Sequence, residues 1–137
     1  MATTSRRTPR GSAVVAVNRY RVAPEDQDGF LADAGPALGA FAGRPGFVDG
    51  HVGRSTDDPA LWVMVTRWES VGAYRRALSA YDVKVLAVPL MYRAVDEPGA
   101  FEVLLSHDGE RASASSSDLA AGAADSLEGP GGQREDP

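Results

Sequence analysis

The chain contains no cysteine. Disulfides, thiol nucleophiles and cysteine-ligated zinc are excluded together. Histidine is almost as scarce: His51 and His107 are the only two, well separated in sequence, which removes a His-rich metal site. No apolar run approaches the roughly 20 residues needed to cross a bilayer. The N-terminal "MATTSRRTPRGS" is positively charged but no apolar segment follows it, so it reads as a flexible arm and not a signal peptide. A cytoplasmic protein without membrane contact is expected. Positive charge is not in excess either. The net charge is -5, so no basic footprint for nucleic acid exists. No glycine-rich phosphate loop and no nucleophile elbow is present. Abundant Ala, Gly and Arg with little Lys points to a GC-rich bacterial genome.

What remains is enough for one core. Hydrophobic residues make up 43% of 137 residues and charged ones 24%. "SAVVAVNRYRV" (12–22) is β-branched and predicts a first strand. Pro24, with Glu25, Asp26 and Asp28, suits a helix start. Phe30, Leu31, Ala34, Leu38 and Phe41 follow at helical spacing, interrupted by Gly35-Pro36, where a kink is expected. "GRPG" (43–46) ends that helix. Phe47–Arg54 predicts a second strand and "LWVMVTRW" (61–68) a third. Ser70 is placed to cap a helix over 71–80. Asp82 would cap a second helical piece running toward Met91, and 100–105 predicts a fourth strand.

The order β-α-β-β-α-β, with right-handed crossovers, gives a ferredoxin-like α+β fold with an antiparallel sheet ordered 4-1-3-2. The domain is expected over 12–106, after an arm at 1–11. Residues 107–137 are rich in Ser, Ala, Gly and acid, and read as a disordered acidic tail.

Candidate site residues lie on the two central strands and the helix after the third. Asn18 is an amide in the middle of a central strand, where Asn is disfavoured. It is either a satisfied core or solvent-facing amide, or one aimed into a cavity. Tyr20 shares its face. On the third strand Trp62, Met64, Thr66 and Trp68 share one face. Tyr74, Leu78 and Tyr81 fall at i, i+4 and i+7 and would look back at the sheet. Such a group is either ordinary core or the wall of an apolar pocket with a few orienting polar groups. His51 is a possible base, though a second-strand position favours an exposed surface residue.

"RWESVGAYRRAL" (67–78), "RPGF" (44–47) and a first-strand Asn resemble the antibiotic biosynthesis monooxygenase superfamily over about 13–105. In that family a strand ends in Trp-x-Ser, and the next helix carries Ala followed by an aromatic. The resemblance implies a dimeric α+β barrel, in which two sheets join as a homodimer. One branch of the family, the quinol monooxygenases, uses no cofactor or metal and acts on aromatic polyketides with O₂. Its strand Trp and helix Tyr match Trp68 and Tyr74. Its third-strand Asn is Met64 here. The haem-degrading branch matches at Asn18, but its Trp and His positions hold Ala77 and Ala87. The implied function is a small cofactor-independent monooxygenase oxidising a phenolic or quinol-like natural product. Asn18, Tyr74 and Trp68 would do the chemistry, and Tyr20, Trp62, Met64 and Tyr81 would bind substrate. A non-catalytic ligand-binding barrel and a haem-binding protein are the alternatives.

The tail should be dispensable from about Ala112 onward. Its composition buries too little apolar area to offset about 1–2 kcal/mol of backbone entropy per residue. Thermal melts of the chain with and without residues 112–137 are expected to coincide closely; a large drop would show that the tail docks.

Overall fold

A computed structural model describes residues 13–116. Residues 13–101 form one compact unit, and the rest of the described chain, 102–116, belongs to a second. The N-terminal arm at 1–11 and the tail beyond 116 lie outside the described residues.

β1 (Val14–Arg21) is followed by a single 3₁₀ turn at Pro24–Asp26 and by α1 (Gln27–Ala42). β2 (Phe47–Arg54) and β3 (Leu61–Trp68) form a hairpin that leads into α2 (Val71–Leu78). Two short helices, α3 (Tyr81–Leu86) and α4 (Val88–Met91), precede β4 (Ala100–Glu102). The sheet runs β2-β3-β1-β4, which is the expected order read from the other edge. Ser70 caps α2 as predicted: its hydroxyl accepts from the Ala73 N–H at 3.0 Å.

Three local expectations are corrected. α1 runs unbroken through Pro36. Pro36 cannot donate to the Ala32 carbonyl, but both residues are on the exposed side of the helix, where that acceptor is open to solvent. The second helical piece is divided in two, with Pro89 near the start of α4, where the missing N–H costs nothing. The fourth strand stops at Glu102, and Leu105–His107 instead pairs with Ala112–Ala114 as a small hairpin, β5–β6. Its turn is set by Gly109 at φ 98° and by Asp108 Oδ1, which accepts from the Glu110 and Arg111 N–H groups. A cut at residue 112 therefore removes half of a hairpin.

The core lies between the sheet and the helices. The even-numbered residues of β1 and β3 face it: Val14, Ala16, Tyr20, Trp62, Met64, Thr66 and Trp68 are buried, with Phe30, Ala34, Ala37 and Phe41 of α1 and Ala73, Tyr74 and Ala77 of α2. The odd-numbered face carries Val15, Val17, Leu61, Val63 and Val65, all half-buried, with no helix over them among the described residues.

One close approach fixes how α2 meets the sheet. Gly46, at φ 88°, is so near that a Cβ added there would lie 2.4 Å from the Ala73 Cβ. Its carbonyl also accepts from the Glu69 N–H at 2.8 Å. Gly46→Ala combines a left-handed backbone, roughly 1–2 kcal/mol, with overpacking of a further 1–3 kcal/mol or so. A loss of about 2–4 kcal/mol in urea unfolding is expected; a variant as stable as the parent would show that this contact yields freely.

Candidate functional site

β1 and β3 pair so that Tyr20 faces Trp62, Asn18 faces Met64, Ala16 faces Thr66 and Val14 faces Trp68. The side chains of these pairs share the helix-facing side of the sheet. Large rings therefore occupy its two ends and smaller side chains its middle.

At one end Trp68 is fully enclosed, at 0% exposure. Phe41, Phe47 and Tyr74 surround it with ring centroids 5.8, 5.3 and 5.7 Å away. Its indole N–H donates to the Thr66 hydroxyl at 2.8 Å, so this buried donor is satisfied and the ring is locked. A slip in the β2–β3 register between Phe47 and Asp49 accompanies the inward turn of Phe47.

At the other end Tyr20 and Trp62 pack on Phe30, with centroids 4.9 and 5.5 Å apart. The Arg54 guanidinium lies over the Trp62 ring, 5.5 Å from its centroid. Arg54 also donates to Gln27 Oε1 at 3.3 Å, which ties β2 to the start of α1 over that ring. The Tyr20 hydroxyl and Trp62 Nε1 are buried and have no partner among the described residues.

Burial pushes the Tyr20 hydroxyl up to about 12; nearby Arg93 opposes the rise, and Tyr74 adds to it. Tyr74 is raised by burial as well. Each phenol is thus a neutral donor at physiological pH. Asn18 is half-buried on β1, two residues before Tyr20 and beside the segment that returns to β4. A Cβ on Gly99 would lie 2.9 Å from Asn18 Nδ2 and 2.9 Å from the Val17 carbonyl oxygen. Glycine at 99 therefore lets that segment pass close to the amide.

A groove of about 290 Å³ opens between α1 and α3–α4, lined by Ala32, Asp33, Pro36, Leu86, Leu90 and Arg93 among others. Arg93 donates to Asp33 at 2.8 Å, linking the two sides of the groove. Sequence reasoning passed over this pair because the residues stand 60 positions apart.

Six of the seven predicted residues, Asn18, Tyr20, Trp62, Met64, Trp68 and Tyr74, thus sit on one side of one sheet or on the helix packed over it. Tyr81 does not join them: it opens α3 at 78% exposure. α2 ends at Leu78, and Ser79 and Ala80 reset the helical phase, so i+7 spacing from Tyr74 no longer means one face. His51 is exposed and pairs with Val65 on the opposite face of the sheet. Among the described residues no three His, Cys, Asp or Glu side chains group to hold a metal ion. Ala77 and Ala87 are buried methyl groups, with no atom to ligate haem iron.

Two changes test this arrangement. Thr66→Val removes the acceptor of the Trp68 N–H and leaves a buried donor unpaired, at a cost of about 1–3 kcal/mol in urea unfolding. The raised phenols also set a pH dependence. A folded-state value above the ordinary 10 favours the protonated, folded protein below pH 10, and that advantage is lost as pH rises through about 12. Urea midpoints are expected to fall between pH 10 and 12, and to fall less in Tyr20→Phe; equal losses in the two proteins would contradict the burial of this hydroxyl.

No curated protein sequence matches the chain. Among solved structures it is similar to SnoaB, a cofactor-independent oxygenase from Streptomyces nogalater, at 28% identity and a TM-score of 0.59, covering 72% of this chain and 99% of that one. An asparagine-to-alanine variant of SnoaB matches at 27% identity and a TM-score of 0.61, with the same coverage. A conserved protein from Methanosarcina mazei shares the fold at 19% identity and a TM-score of 0.56, covering 67% of this chain and 91% of that one. The family model for antibiotic biosynthesis monooxygenase matches residues 13–86, more than half of the sequence. The chain belongs to the antibiotic biosynthesis monooxygenase family.

Proposed function

We propose that this protein is a cofactor-independent monooxygenase acting on a phenolic or quinol-like polycyclic aromatic. What supports this reading is the packing of Tyr74 on Trp68, with the half-buried Asn18 amide on the same side of the sheet, in a chain 28% identical to a cofactor-independent oxygenase. The substrate supplies the electrons. Deprotonated at an activated carbon, it passes one electron to O₂ and then forms a C–O bond to the reduced oxygen. Loss of water from the resulting hydroperoxide leaves a carbonyl. For an anthrone, the CH₂ carbon gives up two hydrogens and gains one oxygen, and the other oxygen atom leaves with those hydrogens as water.

The protein's part is to exclude water and to steady the anion. Asn18 Nδ2 and the Tyr74 hydroxyl are the donors assigned to it. Trp68, held by Thr66, and Met64 serve as walls for the rings. His51 is not the base, since it lies on the far side of the sheet; the acidity of the substrate carries the first step. Met64, standing where the quinol monooxygenases have an amide, favours a second reading in which an aromatic ligand binds without turnover.

Oxygen uptake with an anthrone, without added flavin or metal, tests the chemistry. Tyr74→Phe is expected to lower turnover on the order of 10²–10³-fold with little change in Tm, as for loss of one donor to a developing oxyanion. Binding without oxygen uptake would select the second reading. Variants of Asn18 and Tyr74 that melt lower yet react like the parent would return both residues to the core.

The assembly we propose is a homodimer. Val15, Val17, Leu61, Val63 and Val65 make an apolar sheet face that a monomer rarely leaves open. A second copy meeting it face to face would bury both. Sedimentation at micromolar concentration should give a dimer; a monomer would count against that assembly.

A further inference from the structure

Two donors in this core have no acceptor. The Tyr20 hydroxyl and the Trp62 Nε1 are shut away from solvent, and neither makes a hydrogen bond among the described residues. Tyr20 is 2% exposed and Trp62 7%. Both stand at directly opposed positions on β1 and β3, so their side chains leave the same face side by side. Both rings rest on Phe30. Trp68 makes the contrast, because its indole N–H has Thr66 as a partner.

An unpaired buried donor destabilises the protein that carries it, and native chains hold few of them. Phenylalanine would fill the Tyr20 position without that cost. Here two such donors are neighbours at one end of the core, on the side of the sheet where the aromatic ligand is placed. We propose that Tyr20 and Trp62 form a neutral donor pair that reads oxygen acceptors on the ligand, so that the site selects planar aromatic ketones and quinones over hydrocarbons of the same shape.

The pair matches this chemistry and not a charged one. Neither donor is a cation, so neither offsets the desolvation of a carboxylate or phosphate. A carbonyl oxygen asks only for an N–H or O–H. Burial keeps the Tyr20 proton in place across the physiological range. The groove between α1 and α3–α4 reaches the core through Leu90, a lining residue that is itself buried there. This specificity rests on the reading that an aromatic ligand occupies the helix-facing side of the sheet. It adds which atoms of that ligand are recognised, away from the Asn18 and Tyr74 groups assigned to the reacting centre.

Equilibrium dialysis with 1,4-naphthoquinone and with naphthalene tests it on the parent, Tyr20→Phe and Trp62→Phe. The chain has no thiol to consume the quinone. The parent is expected to prefer naphthoquinone. Each variant is expected to bind naphthoquinone about 3–10-fold more weakly and naphthalene equally well, as for loss of one neutral hydrogen bond. Tyr20→Phe should also melt no lower than the parent. A parent that binds both probes alike overturns the proposal, as do variants that keep the parent's preference. Oxygen uptake with an anthrone, measured on the parent, separates this from the oxygenase reading. No uptake, with the preference lost in both variants, leaves the donor pair standing and removes the chemistry. Uptake, with the preference intact in both variants, does the reverse.

Discussion

The contact between Gly46 and Ala73 holds the site in place. It joins the start of β2 to the first turn of α2 at a separation that only glycine permits. The Glu69 N–H adds a hydrogen bond to the Gly46 carbonyl at the same point. Ala73 precedes Tyr74, and Gly46 precedes Phe47. The contact therefore sets the height at which both rings meet Trp68, at 5.7 and 5.3 Å. Trp68 cannot move to suit them, because its N–H is tied to Thr66 two residues back on the same strand. The Ser70 cap completes the arrangement by fixing where α2 begins. The sequence stretches that mark the family, "RPGF" and "RWESVGAYRRAL", are thus one packed unit in space.

Much of this was legible because it is periodic. β2 and β3 fall on the predicted bounds, and the two-residue alternation of β1 and β3 places Tyr20, Trp62, Met64 and Trp68 on one face. What could not be read is whatever breaks a period. Tyr81 looked like a continuation of the Tyr74 stripe, but two residues between α2 and α3 rotate it into solvent. Leu31 fell on the α1 stripe and is exposed, while Ala37, outside the stripe, is buried. Ala37 stands three residues after Ala34 and four before Phe41, so a count that accepted alanine at every helical step would have found it.

The candidate site was legible in its residues and not in its state. Spacing says that Tyr20 and Trp62 face the core. It does not say that their polar atoms lack partners while Trp68, on the same face, has one. That difference depends on which small side chains stand nearby. Thr66 offers an oxygen at one end of β3, and at the other end Phe30 offers only a ring edge. The Arg93 guanidinium, which shifts the Tyr20 hydroxyl, comes from far along the chain and belongs to no motif.

Both faces of one sheet are therefore unfinished in the isolated chain, for different reasons. The helix-facing side holds donors without acceptors, and the opposite side holds valines with no helix over them. β1 and β3 carry both deficits in alternate residues, so a slip of one residue would send every donor outward and every valine inward. Register must then be fixed by something other than the exposed ion pairs Arg67–Asp49, Arg19–Glu97 and Arg21–Asp58. Each such pair contributes little, about 0–1 kcal/mol. The anchors that qualify are buried and specific: Trp68 on Thr66, Phe47 turned in beside a register slip, and Gly46 against Ala73. All three lie at the Trp68 end of the sheet. The Tyr20–Trp62 end is held by Phe30 and by the Arg54–Gln27 link over the Trp62 ring. Buried specific anchors are therefore concentrated at one end of the core and unsatisfied polarity at the other, so a ligand that paired with those donors would add a buried anchor at the end that has fewer.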